Sequence, residues 1–123
     1  MAKRILIVED SDDIALVVKT TLTMRHYEVE RASDGLEALN MARADSWDLV
    51  ILDVLIPEID GFEVLRRLKS DPETKHIKIA LFTAHFTEQE RQLSADLGAD
   101  GVLVKPFDPR RFVEEIGALV ADE

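Results

Sequence analysis

Short runs that are apolar at every position alternate along the chain with segments in which apolar residues recur every three or four positions. The apolar runs occupy residues 5–8, 49–52, 79–82 and 102–104. Strands that a parallel sheet covers on both faces have this composition. Residues 27–32 differ, because Tyr27, Val29 and Arg31 alternate with Glu28 and Glu30. This alternation predicts a fifth strand at an edge of the sheet.

The segments between these runs predict amphipathic helices. In the first, Ile14, Val18 and Leu22 recur every fourth residue, and the preceding acids Asp12 and Asp13 are predicted to cap the helix. Capping boxes are predicted at three later starts: Asp34 with Glu37, Asp60 with Glu63, and Thr87 with Glu90. Three further signals mark ends or starts: Asp71-Pro72 ends a helix, Gly98 ends another, and Asp108-Pro109 begins the last.

The order is therefore strand then helix, five times. This alternation predicts an α/β fold in which helices cover both faces of a doubly wound, five-stranded parallel sheet. The 123 residues are predicted to form a single domain, residues 1–123.

Composition excludes several classes of function. The 25 acidic residues outnumber the 15 basic ones, so the net charge of −10 argues against direct binding to nucleic acid. The absence of cysteine excludes disulfides, thiolate metal sites and thiol nucleophiles. The apolar run near the N-terminus is too short for a signal peptide or a membrane span, so we expect a cytoplasmic protein that does not bind membranes.

Polar residues follow the apolar runs at the points where ligands bind in open α/β sheets, beyond the carboxyl ends of the strands. Glu9 and Asp10 follow the first run, Asp53 the second, Thr83 the third and Lys105 the last. Each has an ordinary explanation of its own, such as a solvated turn, a helix cap or a surface lysine. Five such residues at one edge of a sheet favour a functional site.

Carboxylates held close together need cations to remain ionised. Lys105 supplies one positive charge, and Mg²⁺ is the hard divalent ion that suits carboxylate ligands and leaves room for phosphate oxygens. A carboxylate of such a site can attack phosphorus and form an aspartyl phosphate. The Thr83 hydroxyl can donate a hydrogen bond to a phosphoryl oxygen. The residues thus indicate phosphoryl transfer assisted by a metal ion.

Over essentially its whole length, the chain resembles the receiver domain of two-component response regulators. The motifs that carry the resemblance are Val8-Glu9-Asp10, Asp53-Val54-Leu55-Ile56-Pro57 followed by Asp60-Gly61, Thr83-Ala84, and Lys105-Pro106-Phe107. The resemblance implies a flavodoxin-like (βα)5 fold with strand order 2-1-3-4-5.

The resemblance also implies a role for each site residue. Asp53 would be the phosphoacceptor, and Thr83 and Lys105 would contact the phosphoryl group. Mg²⁺ would be held by Glu9, Asp10, Asp53 and the backbone carbonyl of Leu55. Pro57 and Gly61 would shape the loop after Asp53, and the Lys105–Pro106 bond would be cis.

Position 102 departs from the family pattern. Many receivers carry a tyrosine or phenylalanine three residues before the lysine, and its ring turns inward when the threonine moves. Here the residue is Val102, which has no ring to move. His85 and Phe86 are therefore candidate switch residues, and residues 84–87 with the following helix are expected to carry most of the change.

The predicted function is that of a phosphoacceptor in a two-component phosphorelay. A sensor histidine kinase or a histidine phosphotransfer protein would donate the phosphoryl group. The last two helices and the last strand would then bind a downstream protein or an attached output domain. The chain would be no conventional enzyme, although it would catalyse its own phosphoryl transfer and dephosphorylation. The alternatives are a receiver-fold interaction module that needs no phosphate, and a metal-dependent phosphohydrolase.

Overall fold

The computed structural model describes residues 2–84, 86–105 and 108–121, in which strands and helices alternate from β1 to α5. The strands are β1 (Arg4–Val8), β2 (Glu28–Ala32), β3 (Leu49–Asp53), β4 (Lys78–Thr83) and β5 (Gly101–Val104). The helices are α1 (Asp12–Thr23), α2 (Gly35–Ala44), α3 (Gly61–Ser70), α4 (Glu88–Leu97) and α5 (Pro109–Val120). The predicted elements are confirmed, with strand ends shifted by at most one residue.

All five strands are parallel and lie in the order β2-β1-β3-β4-β5. The expected α/β fold and strand order are confirmed. Chain order reverses between β1 and β3, which are neighbours in the sheet. In parallel sheets of this kind the gap beyond that reversal is where ligands bind. The residues that follow β1 and β3 therefore face the same opening.

Successive residues of each strand point to opposite faces of the sheet, so the apolar runs fill two cores. The core against α2 and α3 includes Leu6, Val8, Leu39, Leu52, Leu65 and Leu68. The core against α1 and α5 includes Ile5, Ile7, Val18, Leu22, Ile51, Phe112 and Ile116. Burying each large side chain of this kind stabilises the fold by about 1.5–3 kcal/mol. This packing holds the strand ends, and whatever they carry, in fixed positions.

The start of α1 differs from the prediction. Ser11, and not Asp12 or Asp13, is the N-cap, and its hydroxyl accepts a hydrogen bond from the Ile14 N–H at 3.3 Å. The two acids lie in the first turn, where the positive end of the helix dipole favours them. The Asp12 carboxylate forms an ion pair with Arg31 at 2.7 Å.

Of the three predicted capping boxes, the one at α4 is complete. The Thr87 hydroxyl accepts from the Glu90 N–H at 3.0 Å, and the Glu90 carboxylate accepts from the Thr87 N–H at 3.1 Å. Gly98 ends this helix in the left-handed conformation, with φ of 88°. Ser94 is its one buried residue, so α4 has firm ends and little apolar anchorage.

The boxes at α2 and α3 are only half formed. Asp34 accepts from the Glu37 N–H at 2.8 Å, but the Glu37 carboxylate accepts from the Ser33 N–H instead of returning to the cap. In α3, Asp60 likewise accepts from the Glu63 N–H at 3.0 Å. The Glu63 carboxylate instead accepts hydrogen bonds from Arg66 and Arg67, one turn further along the helix. These bonds lower the pKa of Glu63 to about 2.

Within the described residues, none of the helices is long and apolar enough to cross a lipid bilayer.

Candidate functional site

Four strands bring polar side chains to one edge of the sheet. Glu9 comes directly after β1, Asp53 is the last residue of β3, Thr83 is the last of β4, and Lys105 follows β5. Three of these residues are buried, with Glu9 1%, Asp53 4% and Thr83 4% exposed. The structure thus brings together residues that lie up to about a hundred positions apart, as parallel strand ends require.

Glu9, Asp10 and Asp53 form a carboxylate triad. One oxygen from each lies within 4.8 Å of the other two. Asp10 is exposed while its two partners are buried, so the triad opens to solvent on the Asp10 side. Three carboxylates this close repel one another unless cations neutralise them.

Lys105 provides one of these cations. Its Nζ lies 2.7 Å from Asp53 Oδ2 and 2.9 Å from Glu9 Oε1. Burial lowers the pKa of Lys105, but the hydrogen bond to Asp53 and the charge of both carboxylates outweigh that effect and leave the pKa raised. The ammonium is therefore charged at neutral pH. It also lies 4.9 Å from the centre of the Phe82 ring, in a cation–π contact.

Glu9 keeps an oxygen available. Its Oε2 accepts from the Ser11 N–H at 3.1 Å, whereas Oε1 has no hydrogen bond among the described residues. The Lys105 contact to Oε1 is an ion pair without hydrogen-bond geometry. Burial raises the pKa of Glu9, and the Lys105 ammonium opposes this only in part. A buried oxygen with unused lone pairs, beside two other carboxylates, fits a hard divalent cation.

Asp53 is held by donors on both oxygens. Its Oδ1 accepts from the Leu55 N–H at 2.9 Å and its Oδ2 from Lys105. Leu55 is 81% exposed, whereas Asp53 itself is buried. The Leu55 carbonyl stays a predicted metal ligand.

Thr83 and Lys105 are linked through the backbone, because the Lys105 N–H donates to the Thr83 carbonyl at 2.8 Å. Val102 lies half-buried opposite Leu81 in the sheet. Phe86 is half-buried, and the Arg91 guanidinium lies 5.1 Å from the centre of its ring. His85, Pro106 and the predicted cis bond before Pro106 lie outside the described residues.

The loop after Asp53 is docked onto the start of α2. The Pro57 carbonyl accepts from the Gly35 N–H at 3.2 Å and from the Ile59 N–H at 2.9 Å. Glu58, between the two loop residues, adopts a φ of 72°, which an L-residue rarely does outside a tight turn. Sequence reasoning missed this conformation, because glutamate is not a residue that marks it.

Gly61 allows α3 to start directly against the strand that carries Asp53. A side chain there would place its Cβ 2.5 Å from the Asp53 carbonyl and 2.5 Å from the Val54 Cα. Both are backbone atoms, which cannot move without displacing the end of β3. A hydrogen bond stabilises this close contact between the start of α3 and the end of β3: the Gly61 N–H donates to the Val54 carbonyl at 3.1 Å.

We therefore expect Gly61→Ala to lower the free energy of unfolding by roughly 2 kcal/mol. Gly117→Ala is the matched control, because nothing lies within 4 Å of its added methyl group in α5. Removing a glycine from a helix interior stabilises by roughly 0.5–1 kcal/mol, so the control should gain stability. Urea unfolding followed by Trp47 fluorescence measures both. Equal effects of the two substitutions would show that the contact at Gly61 is not tight.

Arg31 is a residue near the site that sequence reasoning placed only in a strand. Its guanidinium donates to the Glu9 carbonyl at 3.0 Å and to Asp12 at 2.7 Å. The sequence pattern contained a clue to this role. Arg31 is a charged residue on the face of the strand where the alternating positions Tyr27 and Val29 are apolar.

Comparison with known proteins gives one consistent result. The pattern of the family described as "Response regulator receiver domain" matches residues 5–117. The chain is 43% identical to the response regulator PleD of Caulobacter vibrioides over 108 residues, 88% of this chain and 24% of PleD. Curated relatives are longer, and the chain spans about a quarter to a half of their length.

Solved structures agree with this. The chemotaxis protein CheY4 of Vibrio cholerae superposes with a TM-score of 0.92 at 34% identity, covering 97% of this chain and 99% of that one. The receiver domain of the sensor histidine kinase PA1611 of Pseudomonas aeruginosa, which holds a magnesium ion in its active site cleft, shares the fold with a TM-score of 0.90 at 23% identity. The superposition spans 99% of this chain and 100% of the PA1611 receiver domain.

Proposed function

The chain belongs to the response regulator receiver domain family, and from that premise we propose that it accepts a phosphoryl group on Asp53. The donor would be the phosphohistidine of a sensor histidine kinase or of a histidine phosphotransfer protein. The observation that carries the proposal is the position of Asp53, which is a buried member of a carboxylate triad and accepts a hydrogen bond from Lys105. The chain would thus have a regulatory role in two-component signalling.

Magnesium fits the triad, since Glu9 Oε1 has unused lone pairs and two further carboxylates lie beside it. Glu9, Asp10 and Asp53 would hold the ion. When bound, Mg²⁺ would screen the repulsion between the Asp53 carboxylate and the incoming phosphoryl oxygens.

The chain's own residues would perform the transfer. An Asp53 oxygen attacks phosphorus in line with the departing imidazole nitrogen; the O–P bond forms as the N–P bond breaks. The two donors to Asp53, the Leu55 N–H and Lys105, hold the carboxylate in one orientation for this attack. After the transfer, the Lys105 ammonium would donate to one phosphoryl oxygen, and the Thr83 hydroxyl would donate to another.

The same residues would pass the signal on. Movement of Thr83 would pull on the chain that leads into α4, a helix in which Ser94 is the one buried residue and Leu97 packs on the core while partly exposed. Phosphorylation would thus bias a pre-existing equilibrium of residues 84–87 and α4. With Val102 in place of an aromatic ring, we propose that this segment carries most of the change. Amide chemical shifts of residues 84–97, compared with and without a phosphoryl mimic, test this, and unchanged shifts would contradict it.

The partner surface would be built from α4, β5 and α5. A groove of about 360 Å³ runs along β5 and α5, and its lining includes Val102, Val104, Phe112, Arg111 and Glu115. Val104 is 57% exposed there, at the open edge of the sheet. A groove of mixed apolar and charged side chains at the edge of the sheet suits a downstream protein or an attached output domain.

An interaction module without phosphate is the second candidate, because Val102 removes the usual ring. The carboxylate triad opposes it, since two of its three members are buried and charged groups in the interior are costly unless they serve a function.

The test is to incubate the protein with Mg²⁺ and a small acyl phosphate and to measure its intact mass. We expect one added phosphoryl group, which peptide mapping places on the segment that contains Asp53, and no addition when a chelator removes the metal. No adduct under any condition would favour the interaction module. Steady release of phosphate from a phosphate ester, without an adduct, would instead indicate a phosphohydrolase.

A further inference from the structure

Arg31 is a charged residue on the inward-facing side of an edge strand. Strand β2 buries Val29 and Ala32 and exposes Glu28 and Glu30, and the Arg31 side chain, 25% exposed, lies between these extremes. A half-buried arginine at such a position needs partners for its guanidinium. The partners it has belong to the segment that carries Glu9 and Asp10.

The Arg31 Nε donates to the Glu9 carbonyl at 3.0 Å, and its Nη1 donates to Asp12 at 2.7 Å. The Glu9 N–H donates in turn to the Ala32 carbonyl at 3.1 Å. Strand β2 therefore holds Glu9 by both of its backbone groups. Strand β2 ends at Ala32, and the next backbone donor, the Ser33 N–H, is hydrogen-bonded to Glu37. The Arg31 side chain therefore supplies the donor to the Glu9 carbonyl that the backbone of β2 does not.

Glu9 and Asp12 lie on either side of Asp10 in the chain. A planar guanidinium that donates to both in a fixed geometry restrains the whole turn, which a flexible ammonium cannot do. We propose that Arg31 is a positioning residue for the magnesium site: it holds the turn so that the Glu9 and Asp10 carboxylates converge on Asp53. This inference rests on the proposed function and adds a residue outside the triad to it.

Electrostatics and positioning predict opposite effects. If Arg31 acted only through its charge, its removal would make the surroundings of the triad more negative and would tighten the binding of a cation. If it acts by positioning, its removal loosens the turn and weakens binding. The sign of the change in affinity therefore separates the two roles.

The experiment is a calorimetric titration with Mg²⁺ alone of the native protein, Arg31→Gln, Arg31→Lys and the control Arg43→Gln. Arg43 lies on α2 and pairs with Asp71 at 3.1 Å, so this substitution removes the same charge from an ion pair outside the triad. We expect Arg31→Gln to raise the dissociation constant about tenfold, the usual effect of losing a residue that orients a ligand. Arg31→Lys keeps the positive charge but loses the planar guanidinium that donates to both Glu9 and Asp12. It should therefore also bind Mg²⁺ more weakly than the native protein.

A metal-free measurement accompanies the titration. The Ser11 N–H donates to Glu9 Oε2 at 3.1 Å, so its hydrogen exchange should accelerate in both Arg31 variants and stay native in Arg43→Gln. Unchanged or tighter Mg²⁺ binding by Arg31→Gln would overturn the inference, with the proposed function intact. A native protein that binds no Mg²⁺ would overturn the proposed metal site and this inference together, and the native titration identifies that case.

Discussion

The Asp53→Asn protein is expected to gain no phosphoryl group under conditions that label the native protein fully. An amide oxygen is a far weaker nucleophile than a carboxylate, so the covalent step has no starting point. The fold should survive, because the new side-chain amide keeps an oxygen that accepts from the Leu55 N–H and Lys105 keeps Glu9 as its counter-ion. Intact mass spectrometry after treatment with Mg²⁺ and acyl phosphate measures the result.

Asp13→Asn is the control for that experiment. Asp13 is an exposed acid in the first turn of α1, close in sequence to the triad and outside it. Its substitution removes the same charge as Asp53→Asn, so it should leave labelling at the native level. Labelling of Asp53→Asn at that level would assign the phosphoryl group to a different residue.

Lys105→Met is expected to lower the free energy of unfolding by roughly 3 kcal/mol at neutral pH in metal-free buffer. Methionine fills similar space and carries no charge, so the buried carboxylates of Glu9 and Asp53 lose their counter-ion. Losing one partner of a buried ion pair costs more than the pair itself contributes, because the remaining charge stays desolvated. Urea unfolding of the variant and the native protein measures the difference.

The deficit of Lys105→Met should depend on pH. Burial already raises the pKa of Glu9, and the ammonium is the largest opposing influence, so its removal raises the pKa further. The folded variant then binds a proton more readily than the unfolded chain does, and its deficit shrinks as the pH falls toward the ordinary glutamate pKa. Above the raised pKa the full deficit is present.

Magnesium should restore Lys105→Met more than it stabilises the native protein, since the ion binds the folded state and replaces the missing positive charge. Lys19→Met, at an exposed position of α1, serves as the control and should change stability little in any of these buffers. Native stability of Lys105→Met in metal-free neutral buffer would show that the ion pair does not hold the site together.

Much of the fold was predictable because its signals are local. Residues 5–8 and 49–52 are apolar at every position, and such runs have few stable locations other than the centre of a parallel sheet. Once the strands are parallel, Glu9, Asp53, Thr83 and Lys105 must lie at the same edge. The triad therefore follows from strand ends, without any knowledge of side-chain conformation.

Features that depend on competition between partners were not predictable. Glu37 and Glu63 have the spacing of capping boxes, yet the Ser33 N–H and a pair of arginines take their carboxylates. Asp12 is of a residue type that caps helices, yet Ser11 is the cap of α1 and the Asp12 carboxylate pairs with Arg31. The spacing of residues in the sequence indicates which groups can form a hydrogen bond. Which bonds form depends on the donors that lie nearby in the folded structure.

The single buried residue of α4 has a consequence for the thermodynamics of signalling. A helix with so few apolar contacts opens at a free energy well below that of global unfolding, so its amides should lose protection from solvent before those of the sheet. Each ~1.4 kcal/mol of bias changes a two-state ratio tenfold. If Asp53 accepts a phosphoryl group as proposed, a few new contacts there would be enough to shift the populations of such a weakly held helix, while the strands beneath it keep their register.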